Sequence, residues 1–142
     1  MSIIDTLIFD RKQSDIANDT DKAYISYTDL NRVEEAITYL KQLLANYGYN
    51  STTQEKKWLI TDFRKNEDMS RLKDNIDNLR NAYPYLVSPV TPNPIKYESI
   101  QEANDIERIL YEINKLIEKM VYVFRYTNTF NLGGMEGLIW VY

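Results

Sequence analysis

Histidine and cysteine are both missing from this chain of 142 residues. Without cysteine it can form no disulfide, no thiolate metal site and no cysteine nucleophile. Without histidine it lacks the commonest general base at neutral pH and the commonest transition-metal ligand. Ser-His-Asp triads, His-Glu-x-x-His zinc sites and the Glu-x-x-His pairs of di-iron bundles are excluded together. No apolar run approaches the roughly 20 residues of a membrane span, so no membrane insertion is expected. The opening "MSIIDTLIFD" has no basic n-region and no small-residue cleavage site, so a cytoplasmic origin is expected rather than export. Positive charge is also short. The net charge is −4 and no basic run is longer than a pair such as Lys56-Lys57, which argues against a nucleic-acid partner.

The length suits one core and one domain. Hydrophobic residues at 44% and charged residues at 27% are ordinary for a globular chain and argue against global disorder. Tyrosine is abundant, as are Asn, Ile and Lys; all four have AT-rich codons, which points to a low-GC genome.

Three segments carry helical periodicity, which predicts a mainly α fold: a three-helix core arranged as an antiparallel bundle. In the first, Thr28 is the expected N-cap. Leu30, Val33, Ala36/Ile37, Leu40 and Leu43/Leu44 recur at steps of three and four as far as Tyr47, with Gly48 placed to end the helix. The second, "EDMSRLKDNIDNLRNAY", carries Met69, Leu72, Ile76, Leu79 and Tyr83 on one face and is stopped by Pro84. The third opens on Ser99 and Glu102, spaced as a capping box, and its apolar stripe runs from Ile100 to Phe124.

The connections differ in kind. Pro84, Pro89, Pro92 and Pro94 all fall in "PYLVSPVTPNPIKY", which predicts a stiff, extended crossover that returns the third helix beside the first. The polar loop 48–62 contains Trp58, Leu59 and Ile60, expected to anchor it to the core, with a short strand as the alternative. The expected organisation is an N-terminal arm with a short helical segment (1–27), a helical domain (28–126) and an aromatic, apolar tail (127–142). Both ends are β-prone. Ile3, Ile4, Leu7 and Phe9 at one end, and Leu138, Ile139, Trp140, Val141 and Tyr142 at the other, are candidates for pairing with each other or for docking on another protein.

Shifting the chain by 73 residues lays "LNRVEEAITYL" on "ANDIERILYEI", matching Asn31 with Asn104 and Glu34 with Glu107. Amphipathic helices resemble each other by construction. A weak helix former at the same early position in both, three residues before a Glu, suggests in addition a structural role for the pair. The expectation is a helix–helix clasp in which Asn31, Glu34, Asn104 and Glu107 satisfy one another or nearby backbone across the packed helix starts.

Little in the chain singles out chemistry. Glu102, Asp105 and Glu107 could in principle hold a hard cation, but Glu102 is spoken for by the capping box and acidic residues are favoured in a helix's first turn. No EF-hand loop is present, "NLGGMEG" lacks the flanking strand and helix of a phosphate loop, and no carboxylate pair is singled out for glycoside chemistry. The expectation is a protein without catalytic residues, cofactor or metal.

Several blocks, taken in order, resemble a family of small proteins encoded in the tail-gene modules of phages and prophages of low-GC Gram-positive bacteria. They are D-R-x-Q-x-D at Asp10, Arg11, Gln13 and Asp15, D-L-N-R-V-E at Asp29 to Glu34, and E-A-N-D-I-E-x-I-L at Glu102 to Leu110. The likeness covers most of residues 9–130; the ending "NTFNLGGMEGLIWVY" departs from it. The resemblance implies a virion structural or adaptor protein of the tail, baseplate or fibre region, present in several copies among other tail proteins and assembled in the host cytoplasm. It brings no catalytic residues. Two other readings stand beside it: an accessory that binds a host receptor or cell-wall carbohydrate through exposed Tyr and Trp, and a phage-encoded regulator absent from particles.

Overall fold

The computed structural model describes residues 2–20, 24–82 and 91–130, with side chains as far as Val121. A 3-10 helix (Ile3–Thr6) leads into α1 (Gln13–Ala17), α2 (Tyr27–Ala45), α3 (Asn66–Ala82) and α4 (Ile100–Phe130). No strand occurs among the described residues. α2 is the central element and packs against α3, α4 and the 3-10 helix.

Helix bounds follow from local chemistry. Two hydroxyls compete to start α2, and Ser26 rather than the expected Thr28 is the N-cap. Asp29, at the third helical position, accepts the Ser26 backbone N–H at 2.9 Å, while Thr28 lies inside the first turn with its hydroxyl 2.6 Å from that of Ser26. The C-terminal end closes as expected at Gly48. Its N–H donates to Ala45, Tyr49 donates to Leu44, and Gly48 takes φ 89°, a left-handed conformation that costs glycine little. In α4 the Ser99 hydroxyl accepts the Glu102 N–H at 3.1 Å, as a cap should. The Glu102 carboxylate departs from the expected box: it accepts the backbone N–H groups of Lys96 at 2.9 Å and Glu98 at 3.1 Å, tying the incoming chain to the helix start. At 31 residues α4 is about 46 Å long at 1.5 Å per residue, and it extends six residues beyond the expected stripe.

The helical stripes meet in one core. α2 contributes Leu30, Val33, Ala36, Ile37, Leu40 and Leu44; α3 contributes Met69, Leu72, Ile76 and Leu79. From α4 come Ala103, Ile106, Ile109, Leu110, Ile113 and Ile117, and Ile4, Trp58, Ile95 and Tyr97 fill the remaining space. Burying a large aliphatic side chain stabilises by about 1.5–3 kcal/mol, so this shared cluster holds the three helices together.

Three expectations are corrected. First, α2 and α3 run in the same direction rather than antiparallel. The connecting segment passes from Thr52, bonded to Asn78, through Gln54, bonded to Asn75, to Trp58, bonded to Asn31, with Glu55 bonded to Thr38 on the way. It therefore runs against both helices. The 20-residue connection 46–65 is long enough to return the chain to the end where α2 began. Second, the N-terminal segment is not a strand or a free arm. Its Ile4 is buried in the common core, Ile3 and Leu7 pack against that core, and the Phe9 ring lies 4.8 Å from that of Tyr111. Ile4 is thereby taken up by the core, while Ile3, Leu7 and Phe9 are half-buried against the rest of the protein. Third, of the triplet Trp58-Leu59-Ile60 only Trp58 is buried, and the segment forms no strand.

α4 packs beside α2. Pro84 and Pro89, with the tail residues Leu138, Ile139, Trp140, Val141 and Tyr142, lie outside the described residues.

Candidate functional site

The expected clasp residues are all engaged, with partners that helix periodicity does not reveal. Asn31 on α2 holds the backbone of Trp58: the Trp58 N–H donates to Oδ1 at 2.7 Å and Nδ2 donates to the Trp58 carbonyl at 3.0 Å. Three residues on, Glu34 accepts the indole Nε1–H of the same Trp58 at 2.8 Å and is ion-paired with Arg71 of α3. Asn104 on α4 repeats the arrangement with Arg11. The Arg11 N–H donates to Oδ1 at 3.1 Å, and Nδ2 donates to the Arg11 carbonyl at 3.0 Å. Three residues on, Glu107 accepts the Arg11 guanidinium at 2.6 Å. Each Asn-x-x-Glu thus holds one residue twice, by its backbone and by its side chain.

A helix-to-helix contact repeats as well. Arg32 of α2 donates to Glu107 of α4 through Nε at 2.7 Å and Nη2 at 3.0 Å, as Arg71 of α3 does to Glu34 of α2. These pairs gather the first turns of all three helices at one end of the molecule. Asp29 completes the group, 2.6 Å from Arg32 and 3.6 Å from Arg11, so two guanidiniums face two carboxylates. The ionisation of Arg32 is affected by burial, which works to lower its pKa, but the Glu107 and Asp29 carboxylates outweigh it and hold the group well above the ordinary value. Arg71 is raised by its hydrogen bond to Glu34.

This geometry decides what the carboxylates can do. Glu107 accepts from Ile8 N–H, Arg11 and Arg32, and Glu34 from Trp58 and Arg71, each almost fully buried. Both are committed hydrogen-bond acceptors rather than bases facing a substrate. Glu102, Asp105 and Glu107 do not converge on a cation: Glu102 caps the incoming chain, Asp105 accepts from Gln101 at 2.8 Å, and Glu107 points into the arginines.

Comparison with protein-family models, with curated proteins and with solved structures finds no match to this chain. Any function must therefore be argued from its own surface.

The conspicuous surface lies at the end where the helices begin. The Leu59 carbonyl accepts the Asp62 N–H at 3.0 Å and the Asp62 carboxylate accepts the Leu59 N–H at 2.8 Å, which closes residues 59–62 into a tight turn. Buried Trp58 anchors one side of that turn. On it, Leu59, Ile60 and Phe63 are 57%, 79% and 80% exposed, although all three are large and apolar. Two neighbouring clefts, of ≈ 510 and ≈ 460 Å³, share Ile25 and Arg64; Tyr24 and Ile100 line the first, Tyr27 and Phe63 the second. Three large apolar side chains grouped in water at one turn make it a candidate docking feature. Two apolar residues just before an Asp in a polar loop were the only sequence signal for it. Arg71, the partner of Glu34, and Asn75, which holds the Gln54 backbone, lay hidden in the polar face of α3.

Proposed function

We propose that this chain is a non-enzymatic structural or adaptor component of the tail, baseplate or fibre region of a bacteriophage or phage-like particle, and that it docks on neighbouring proteins through its exposed apolar turn. The rigid presentation of Ile60 and Phe63 carries the docking part of the reading. The assignment to a tail is supported by the sequence blocks that resemble tail-module proteins. Arg11, Asn31, Arg32, Glu34, Asn104 and Glu107 within those blocks are the residues that build the clasps, so what the blocks share is the making of a fold rather than a reaction centre. The location is the virion, after assembly in the host cytoplasm. No helix among the described residues is long and apolar enough to cross a membrane, in keeping with a particle component.

Mass spectrometry of purified particles tests this. The chain is expected at a fixed ratio to known tail proteins and is expected to be lost from particles when Ile60 and Phe63 are both changed to Asp. Absence of the unmodified chain from particles, despite expression in the infected cell, overturns the assignment.

A second reading has one observation in its favour. Tyr24, 64% exposed, lines a cleft together with Asp19, Arg64 and Glu98, a mixture of ring and polar groups suited to a sugar. Trp58 takes no part in it, because its ring is buried and its Nε1–H is held by Glu34. Glycan binding by the purified chain, abolished by Tyr24→Ala, would favour this reading over docking.

A further inference from the structure

The apolar turn lies beside the start of one long helix, and the apolar block of the tail follows the other end of that helix in sequence. α4 begins beside the turn, where Ser99 and Ile100 border the first cleft, and runs 31 residues to Phe130. At 1.5 Å per residue that separates the two ends by about 46 Å. The chain then continues "NLGGMEGLIWVY", with the apolar block Leu138 to Tyr142 starting eight residues after Phe130. Fully extended, the eight residues to Leu138 span at most about 26–29 Å and the twelve to Tyr142 about 40–43 Å, both less than the length of the helix. The block therefore falls short of the turn on its own copy, even with the connecting residues pulled straight.

We propose that the block 138–142 of one copy docks on the turn of a second copy, joining copies head to tail. The chemistry of the two surfaces matches. The turn presents Ile60 and Phe63 beside the cleft that holds Arg64, which is exposed and forms no hydrogen bond or ion pair among the described residues. The block brings Leu138, Ile139 and Trp140, and the sole charged residue of 131–142 is Glu136, two positions before it. The turn's own carboxylate, Asp62, is engaged by the Leu59 N–H, so the apolar block with its preceding Glu136 meets an apolar turn followed by the cationic Arg64 and Lys65. The contact is heterologous, since each copy offers one turn and one block. Such contacts propagate into a ring or an open filament rather than stopping at a dimer. The proposal rests on the docking role argued above for the turn, but not on the presence of the chain in a particle.

Sedimentation velocity on the purified full-length chain tests it. The unmodified chain should gain mass with concentration and pass beyond two copies. Ile60→Asp with Phe63→Asp should abolish this, as should Leu138→Asp with Ile139→Asp, each variant keeping the helical circular dichroism of the parent. Mixing the two variants is the decisive arm. One retains an intact block and the other an intact turn, so an equimolar mixture should form a one-to-one pair and grow no further. A cross-linker placed at Phe63 should then capture residues 138–142 of the other copy. An unmodified chain that stays monomeric, a block variant that still self-associates, or a mixture that does not pair overturns the proposal. A chain that assembles in solution yet is missing from particles would sink the tail assignment alone.

Discussion

Asn104 on α4 grips the backbone of Arg11, 93 residues away in sequence, through both ends of its side-chain amide: N–H to Oδ1 at 3.1 Å and Nδ2 to carbonyl at 3.0 Å. A carboxamide offers one acceptor and donors in the same plane, as a peptide group does, so it can stand in for a neighbouring strand. Asn31 does this for Trp58, and Asn75 for Gln54 at 3.1 and 2.8 Å. Non-helical segments that cross the bundle thus have their backbone groups satisfied by side chains from the helices, with no sheet. Trp58, held this way inside the core, anchors one side of the turn that Leu59 and Asp62 close by two hydrogen bonds.

Replacing Asn104 by Ala removes the acceptor of the Arg11 N–H and the donor to its carbonyl in a buried position. Each orphaned group costs about 1–3 kcal/mol. Urea unfolding should show a lower midpoint at unchanged slope, and the loss should exceed that for Asn31→Ala, whose site is less buried. A loss within about 0.5 kcal/mol, the range of ordinary surface changes, would remove the clasp as a source of stability.

Glu107 is the acceptor on which two arginines converge, so Glu107→Gln should be the more damaging change in its group. It removes the buried carboxylate that Arg11 and Arg32 share, and breaking a buried pair from one side typically costs about 3–5 kcal/mol. Arg32→Met should cost less, because Glu107 keeps Arg11 and the Arg32 side chain is itself partly exposed. Equal losses for the two single variants, measured by the same unfolding series, would contradict this order.

The helices were legible in the sequence because burial leaves a periodic mark: each stripe of α2, α3 and α4 was placed, and Gly48 ended α2 as its conformation requires. The clasp residues were legible too, through an Asn repeated where helices disfavour it. Their partners were not. Trp58 and Arg11 are held through their backbones, and a backbone group has no sequence signature. Direction was misread for a related reason, since periodicity fixes which face is buried but not which way a helix runs. That was decided by Asn31, Asn75 and Asn78 acting on a single connecting segment. The apolar N-terminal residues read as docking side chains because exposure depends on where the chain folds back, here with the 3-10 helix onto α2 and α4.

Tyr97 should limit stability at high pH. Its hydroxyl is buried without a hydrogen-bond partner among the described residues, and burial, with the Glu107 charge adding to it, pushes its ionisation well above the ordinary 10.0. Below pH 10.0 the hydroxyl is protonated in folded and unfolded chains alike, and stability is unaffected. Above that value the unfolded chain ionises while the folded one cannot, so stability falls by up to about 1.4 kcal/mol per pH unit. Tyr97→Phe removes both the orphan hydroxyl and this penalty. The variant should match or exceed the parent near neutrality and lose less between about pH 10 and pH 11. Because the other tyrosines are common to both proteins, their difference isolates Tyr97; parallel losses would refute the assignment.

Neighbouring residues of one loop should respond in opposite ways. Trp58 is 1% exposed, and its Nε1–H is a donor to buried Glu34; Ile60, two residues on, is 79% exposed. Trp58→Phe keeps an aromatic ring but withdraws that donor and leaves space beside the carboxylate, at an expected cost of about 1–3 kcal/mol. Ile60→Ser and Phe63→Ser remove apolar surface that already faces water, so each should shift the unfolding free energy by no more than about 0.5 kcal/mol. Asp62→Ala lies between them: it releases the Leu59 N–H to solvent at little energetic cost but loosens the turn, which native-state hydrogen exchange at Leu59 would register as faster exchange. If Ile60→Ser or Phe63→Ser instead destabilised the fold as strongly as Trp58→Phe, those side chains would be serving the core, and the exposed turn would no longer be a docking surface.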